Sequence, residues 1–514
     1  MERTLEEFKQ ALPVFKEMTE KFYSQEITRK EYKGFSGKYG SYAQRDGEHN
    51  MLRLRLRGGR IDQDKLKFIV DMIEQYRITM LHFTTCQTIQ LHNLKAEAVC
   101  GIMERAVEHG IYTWGGGGDY PRNVMASPLS GVEQGELFDV MPCAMAASDY
   151  LLKLIGKVKL PRKLKVGFSN TAADLTHVTF RDLGFAATEQ GTFDVYSAGG
   201  LGKNPKMGLL VAEDVQPDMV LYYIKAMVDT FVAHGNYENR AKARTRYMQY
   251  TLGEKGYREA YRQALEEALR SGEDLKIRFH EESSGKTGDG TAVSDPRTIP
   301  QKQEGLYAVF YHPLGGVPAP DKMRRIYEAI RGMEAVELRL TPDEGVYVIN
   351  CTGEEAKQVL EVTDDGARNV WESSVACIGA SVCQIGVRDS QKLLRTLVER
   401  TRAEGLNDDA LPLIHISGCP SSCGTHQIGT IGFHGGVRMI DKKAEPAFTL
   451  HFGGEQQMGR ARFGEPLGMI LEKDIPDFII TLGKTVEKSG QSFGEWFCTH
   501  EEEARGIAES YLCQ

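Results

Sequence analysis

Ser417-Gly418-Cys419-Pro420-Ser421-Ser422-Cys423-Gly424 is read together with Ala376-Cys377-Ile378-Gly379-Ala380-Ser381-Val382-Cys383. The two segments place cysteines as Cys-x5-Cys and, after a gap, Cys-x3-Cys. Four thiolates are the usual ligand set of a [4Fe–4S] cluster, and a cubane needs four convergent sulfurs. The small residues between the cysteines let the backbone curl closely around such a body. Structural zinc also takes four cysteines but favours the tighter Cys-x2-Cys knuckle. Disulfides suit a secreted chain, and Met1-Glu2-Arg3-Thr4-Leu5-Glu6-Glu7 has no signal-peptide core. The spacing favours iron–sulfur over zinc.

The remaining cysteines, Cys86, Cys100, Cys143, Cys351, Cys498 and Cys513, have no paired spacing and read as small buried hydrophobes. The 514 residues suffice for two to four domains. A net charge of −8 argues against nucleic acid as a partner. No apolar run approaches a membrane span, so a location in the reducing cytoplasm is expected, away from membranes.

Upstream, Leu5, Phe8, Leu12, Phe15 and Met18 recur with helical period, and an arm rich in glycine and aromatics follows through Gly40. Met51-Leu52-Arg53-Leu54-Arg55-Leu56-Arg57-Gly58-Gly59 alternates strictly. It predicts a strand with leucines on one face and Arg53, Arg55 and Arg57 on the other. Those arginines are either a solvated face or a wall against an anion. A helix over Asp64 to Tyr76, a strand over Met80 to His92 and a helix over Ala96 to Gly110 complete a ferredoxin-like half-domain. In the middle, Ser197-Ala198-Gly199-Gly200-Leu201-Gly202-Lys203-Asn204-Pro205 could bring backbone amides to an anion, or be only a turn. Residues 217–234, 254–270 and 474–489 predict helices, and 428–438 a strand and turn. Residues 271–299 are polar and predict the linker between halves. Gly285-Lys286-Thr287 resembles the end of a phosphate loop, but position 280, where the motif needs glycine, is His280.

The chain repeats itself. Gly58-Gly59, Asp64-Lys65, Ile69 and Ile73 recur 257 positions later as Gly315-Gly316, Asp321-Lys322, Ile326 and Ile330. Val124, Leu160-Pro161 and Gly167 recur 251 positions later as Val375, Leu411-Pro412 and Gly418. This predicts an internal duplication with pseudo-two-fold symmetry. In that register the cysteine segments of the second half match segments of the first that hold Arg122, Lys163 and Lys165. One half would carry a cluster and the other cations.

Cys-x5-Cys followed by Gly-Cys-Pro-x-x-Cys-Gly resembles the sulfite and nitrite reductase family, which carries sirohaem coupled to a [4Fe–4S] cluster. The resemblance runs from about Tyr32 to Trp496. It implies an α+β, internally duplicated fold: two ferredoxin-like half-domains and two mixed α/β domains about a pseudo-two-fold. The expected boundaries are 1–45 for the N-terminal helices and arm, 46–118 and 300–366 for the half-domains, and 119–299 and 367–514 for the α/β domains. The implied cluster ligands are Cys377, Cys383, Cys419 and Cys423, with Cys423 bridging to sirohaem. Arg53, Arg122 (in a Gly-Asp-x-x-Arg-Asn-Val segment), Lys163 and Lys165 (in Pro-Arg-Lys-x-Lys) are the implied substrate pocket. Arg55, Arg57, Thr84, Gln87, Gln90, Gly200, Ser421 and Cys423 are the expected sirohaem contacts.

Two departures stand out. The family's Thr-Thr-Arg-Gln or Thr-Asn-Arg-Gln reads Thr84-Thr85-Cys86-Gln87, and its asparagine between the last two cysteines is Ser421. Arg55 and Arg57 are expected to supply the missing charge. Lysine at position 165, often asparagine in nitrite-specialised relatives, implies six-electron reduction of sulfite to sulfide, with nitrite to ammonia as the alternative. A non-catalytic iron–sulfur carrier and a zinc-bearing structural protein are the other classes. No Gly-x-Gly-x-x-Gly opens a helix, so electrons are expected from a separate donor, a ferredoxin or a flavoprotein.

Overall fold

The alternation after Met51 forms a strand because the leucines can share one face. In the computed structural model, which describes residues 2–279 and 285–513, that strand is Asn50–Arg55. Leu52 and Leu54 on it, and Leu56 just after it, are buried. It ends early because Gly58 and Gly59 turn the chain with φ of 57° and 74°, a conformation that favours glycine. Arg57 therefore lies in the turn, outside the strand.

The helix Gln63–Tyr76 follows, capped by Asp62. The strand expected over Met80 to His92 is in fact a hairpin, Met80–Phe83 and Thr88–Leu94. Its turn is Thr84-Thr85-Cys86-Gln87, with Gln87 at φ 52°. The Thr84 hydroxyl meets that of Thr88 at 2.7 Å and accepts from the Cys86 and Thr88 amides, which closes the turn. The sheet order is Ser41–Ala43, Asn50–Arg55, Thr88–Leu94, Met80–Phe83. Helix Ala96–Ala106 completes the unit.

The second half repeats it with Tyr307–Tyr311, Pro320–Ile330, Glu337–Leu340, Val346–Cys351 and Gly353–Val362. Gly315 and Gly316 turn at φ 61° and 70°, and Glu344 stands in the place of Gln87 at φ 68°. The copies are not identical. Arg60–Ile61 leaves the first half and adds an antiparallel edge to Glu337–Leu340. At the position equivalent to Ile61 the second half has Pro318, which has no N–H for a ladder. One apolar core serves both ferredoxin-like units, joining Ile69 and Ile73 to Ile326, Ile330 and Leu338.

The two α/β units also share one plan. Met125–Ala126, Val166–Ser169 and Leu183–Ala187 run parallel, and Phe193–Ser197 and Leu209–Val215 continue antiparallel. Val375–Ala376, Ile414–Ser417, Ile431–Ile440, Lys443–Phe452 and Glu465–Leu471 do the same. Each has its own core.

The register here differs from the 251-residue offset. Val166 pairs with Leu183 and Ile414 with Ile431, each 248 positions on. Gly184 and Gly432 obey it too, their Cα atoms pressed on the carbonyls of Val178 and His426. So do the left-handed pairs Asp174/Ser422 and His177/Thr425. Cys419 and Cys423 thus correspond to Thr171 and Leu175, and Lys163 and Lys165 precede the strand whose partner precedes the cysteines. Cations and thiols occupy opposite ends of equivalent sheets. The four identities at the 251 offset, of Val124, Leu160, Pro161 and Gly167, could not reveal this, because the loops between strands differ in length.

The expected linker is not free where it is described. Lys286 donates to the carbonyls of Glu334 and Asn350 and to Glu355, and Thr298–Pro300 joins the second ferredoxin-like sheet. His280, and Ser283-Ser284 of the linker, lie outside the described residues. Among the described residues no helix is long and apolar enough to cross a membrane.

Candidate active site at the junction of the two halves

The cysteine loops follow the parallel strands of the second α/β unit. Gly418 sits where a Cβ would be 2.5 Å from the Arg388 carbonyl, so the two loops can interlock. The Gly418 amide donates to Cys377 Sγ at 3.2 Å, and the Val387 and Arg388 amides both donate to the Gly418 carbonyl. Ser422 and Thr425 take φ of 55° and 53°, which coils the chain around Cys423. All four thiols are unpaired as disulfides. Burial raises the Cys423 thiol, and Cys419 and Cys383 raise it further while Lys163 and Lys165 pull it down. Cys377 is pushed up to about 12 by burial, with Cys423 adding to it. Cys423 therefore interacts with each of the other three thiols and with both lysines. It has free surface of its own yet protein on most sides, as a group lining a recess does.

The first half holds these loops in place. Arg45 Nε and Nη2 donate to the carbonyls of Cys383 and Gly386 at 3.2 and 2.6 Å, and Gln384 Nε2 returns a bond to Ala43. The Thr85 hydroxyl donates to the Cys423 carbonyl at 2.8 Å. Gln427 brackets Gly202, accepting from its amide at 3.0 Å and donating to its carbonyl at 2.8 Å.

Across the first sheet, Arg53 stands opposite Gln90, which stands opposite His82. Gln90 Oε1 lies 3.4 Å from His82 Nδ1 and 3.2 Å from His92 Nε2. Arg53 and Arg122 both donate to the Gly116 carbonyl, and Arg122 also to Gly118. Burial and the neighbouring Arg53 push Arg122 down to about 10. Lys163 is held well below the usual lysine range by burial, then by Lys165, Arg244 and Arg122. Lys165 is lowered by burial, with Cys86 opposing the shift. Burial would raise the Cys86 thiol, but Lys165, Arg181 and Arg53 beside it prevail and bring it to about 6.

Arg53, Arg122, Lys163 and Lys165 thus stand in one half-buried cationic recess that reaches Cys423. Several of the expected sirohaem contacts are otherwise engaged. Arg55 donates to the carbonyls of Trp114, Pro121 and Arg122. Arg57 pairs with Asp149 at 3.0 Å. Gln87 donates to the Ala126 and Leu340 carbonyls and accepts from the Ala126 amide, a brace between sheets. Thr84 closes its own turn. The Gly200 amide donates to the Lys206 carbonyl, and those of Ala198, Gly199 and Gly202 have protein acceptors too, so the loop offers none of these amides to an anion. The missing side chain of Gly200 instead makes room for Arg246 and Arg244, whose nitrogens lie 3.3 and 3.6 Å from where its Cβ would be. Ser421 is exposed on the loop.

Arg181, Arg244 and Arg246 belong to the recess and were not anticipated. Arg244 pairs with Asp182 at 3.0 Å, and Arg246 donates to the carbonyls of Lys203 and Asn204. A sequence signal existed in the basic run Arg240-Ala241-Lys242-Ala243-Arg244-Thr245-Arg246. Buried nitrogens without a hydrogen-bond partner include Arg53 Nε, Arg122 Nε, Arg181 Nη2, Arg244 Nε and Arg246 Nη1. Unpaired buried cation donors call for an anionic acceptor, and four convergent thiols call for a metal cluster. The residues therefore fit a carboxylate-bearing macrocycle beside an iron–sulfur cluster.

Residues 117–269 match the "Nitrite and sulphite reductase 4Fe-4S domain" model and residues 42–109 the "Nitrite/Sulfite reductase ferredoxin-like half domain" model. In both segments the chain is similar to the nitrite and sulfite reductase family. The 4Fe-4S match falls on the α/β copy that lacks the four cysteines, as a duplicated fold allows. Sulfite reductase (ferredoxin) 1 of Mycolicibacterium paratuberculosis is 24% identical over 89% of this chain and 83% of its own. Ferredoxin–nitrite reductase of Synechococcus elongatus is 26% identical over 84% of each chain. The sulfite reductase (NADPH) hemoprotein beta-component of Chromohalobacter salexigens is 26% identical over 87% of this chain and 83% of its own. The solved structure of the Mycobacterium tuberculosis NirA protein has a TM-score of 0.78 at 24% identity, over 98% of this chain and 97% of that one, and so shares the duplicated α+β fold.

Proposed function

We propose that this protein reduces sulfite to sulfide, with sirohaem and a [4Fe–4S] cluster at the junction of its halves and electrons from a separate ferredoxin or flavoprotein. When bound, the two groups would relay the donor's electrons singly to the anion. Cys377, Cys383, Cys419 and Cys423 would hold the cluster. The unpaired guanidinium nitrogens of Arg181, Arg244 and Arg246 would meet macrocycle carboxylates, with Gln90 and Ser421 at its edge.

The observation that supports the reading is the pair Lys163 and Lys165, whose charges act on Cys423 and are themselves acted on by Arg244. Sulfite loses three oxygens as water, and each oxygen must be protonated as it leaves. A lysine held below its usual range gives up a proton more readily, which suits a donor. Arg53 and Arg122 keep their charge and hold the anion. Two lysines favour a dianion over a monoanion because each Coulomb term scales with ligand charge.

The test is kcat/KM for sulfite and nitrite in Lys165→Asn, with a chemical reductant that bypasses the donor. Losing the contact should cost sulfite about 2–4 kcal/mol of transition-state stabilisation, and nitrite much less. A larger loss for nitrite would make nitrite the substrate.

A further inference from the structure

Behind the cysteine loop lies a second group of metal-binding side chains that the proposed chemistry leaves unused. His426 follows Cys423 by three residues, on the loop leaving it. His434 lies on the strand Ile431–Ile440 and His451 on the strand Lys443–Phe452. The strands are antiparallel, with His434 opposite Thr449 and His451 opposite Gly432. The two histidines are thus diagonal neighbours on one face. Gly432 is pressed on the His426 carbonyl, which lets the loop lie across the strand and brings the third ring over the other two.

One nitrogen from each ring falls within 4.8 Å of the others. The ring centres are 4.7, 4.9 and 5.1 Å apart. His426 and His451 are almost wholly buried. His434 Nδ1 lies 2.9 Å from His451 Nε2, and His451 Nδ1 faces the Gly464 carbonyl at 3.4 Å. That second bond places the proton on Nδ1 and turns a lone pair on Nε2 toward the cluster of rings, as carbonyls do behind metal-bound histidines. His426 Nδ1 is buried with no partner. A hydrogen-bonded knot of three rings explains the His434–His451 contact but leaves this nitrogen unsatisfied, whereas a shared cation satisfies all three. Burial holds all three imidazoles below the ordinary histidine range, His434 at about 4, so they are neutral ligands near neutral pH.

We propose that His426, His434 and His451 bind one divalent ion of the Zn2+ class, separate from the four-cysteine site. Three imidazoles without a carboxylate suit zinc over calcium or magnesium, and three ligands leave a fourth tetrahedral position for water. The ion would tie the exit of the cysteine loop to the β-hairpin 431–452. Gln427, next to His426, is the residue that brackets Gly202 of the first half. The clamp would therefore steady both the loop and its seat on the other half. It does not depend on which anion is reduced.

The experiment uses the purified holoprotein, dialysed against buffered free Zn2+, with zinc and iron counted together by mass spectrometry. One zinc per chain is expected in the parent. His434→Gln and His451→Asn should each weaken zinc retention about ten-fold or more while iron content stays the same. No retained zinc in the parent, or equal zinc in both variants, overturns the proposal. Should His451→Asn also lose iron, His434→Gln decides, because its ring is only half-buried and its loss disturbs packing less. Zinc X-ray absorption on the parent separates the two metal sites. A shell of nitrogen at about 2.0–2.1 Å supports the three histidines, and a sulfur shell at about 2.3 Å places the zinc on the cysteines and sinks the idea.

Discussion

The Thr85 hydroxyl donates to the carbonyl of Cys423 at 2.8 Å, so the hairpin turn of one half touches the last cysteine of the other. The bond spans 338 residues of chain. It links the turn that carries Cys86 to the loop that carries Cys419 and Cys423. Removing the hydroxyl while keeping its shape should cost about 1 kcal/mol. Thr85→Val is therefore expected to release iron to a chelator several-fold faster, with little change in the fold. An unchanged release rate would show that the turn does not steady the cluster loop.

The proposed cluster makes the four thiols one ligand set. Each of Cys377→Ser, Cys383→Ser, Cys419→Ser and Cys423→Ser should lose most of its iron and acid-labile sulfide. Cys100→Ser, outside the set and half-buried on a helix, should keep both. Full retention in any one of the four removes that residue as a ligand.

Arg55 donates to three carbonyls of the wall, so it is expected to brace the wall rather than bind an anion. Its guanidinium is buried and satisfies three carbonyls. Arg55→Met would leave those carbonyls unsatisfied, at about 1–3 kcal/mol for the hydrogen bonds lost. The expected result is a lower melting temperature with normal sirohaem content in the folded fraction. A stable variant short of sirohaem would return Arg55 to the binding set.

Cys86 supplies a pH signature. Its thiol sits at about 6, because Lys165, Arg181 and Arg53 outweigh burial, whereas a free thiol lies near 8.5. The folded state thus favours the thiolate. This stability is fully present above about pH 8.5 and is lost as pH falls through about 6. Alkylation of Cys86 by iodoacetamide, followed by peptide mass spectrometry, should show a midpoint near pH 6. In Lys165→Met the midpoint should rise. A midpoint near 8.5 in the parent would mean that the cations do not act on this sulfur.

The sequence by itself determined the local elements and the chemistry of the ligands. Strict alternation at Met51–Arg57 can bury three leucines only as a strand, and Gly58-Gly59 and Gly315-Gly316 can end their strands only by a left-handed turn. Cysteine spacing and the small intervening residues point to a four-thiol set. These readings rest on short-range sterics, which travel with the residues themselves.

Tertiary structure decided which charges face the recess. Arg53, Arg55 and Arg57 look equivalent in the chain, yet one lines the pocket, one is sealed among carbonyls and one pairs with Asp149. Arg181 arrives from a segment that no motif marked, and Arg244 and Arg246 from another marked only by its basic run. Nor could spacing reveal that Lys163 and Lys165 lie at the opposite end of their sheet from the counterparts of Cys419 and Cys423. A charge acts through distance and dielectric, and both are set by how the two halves fold against each other, with no trace in the order of residues along either.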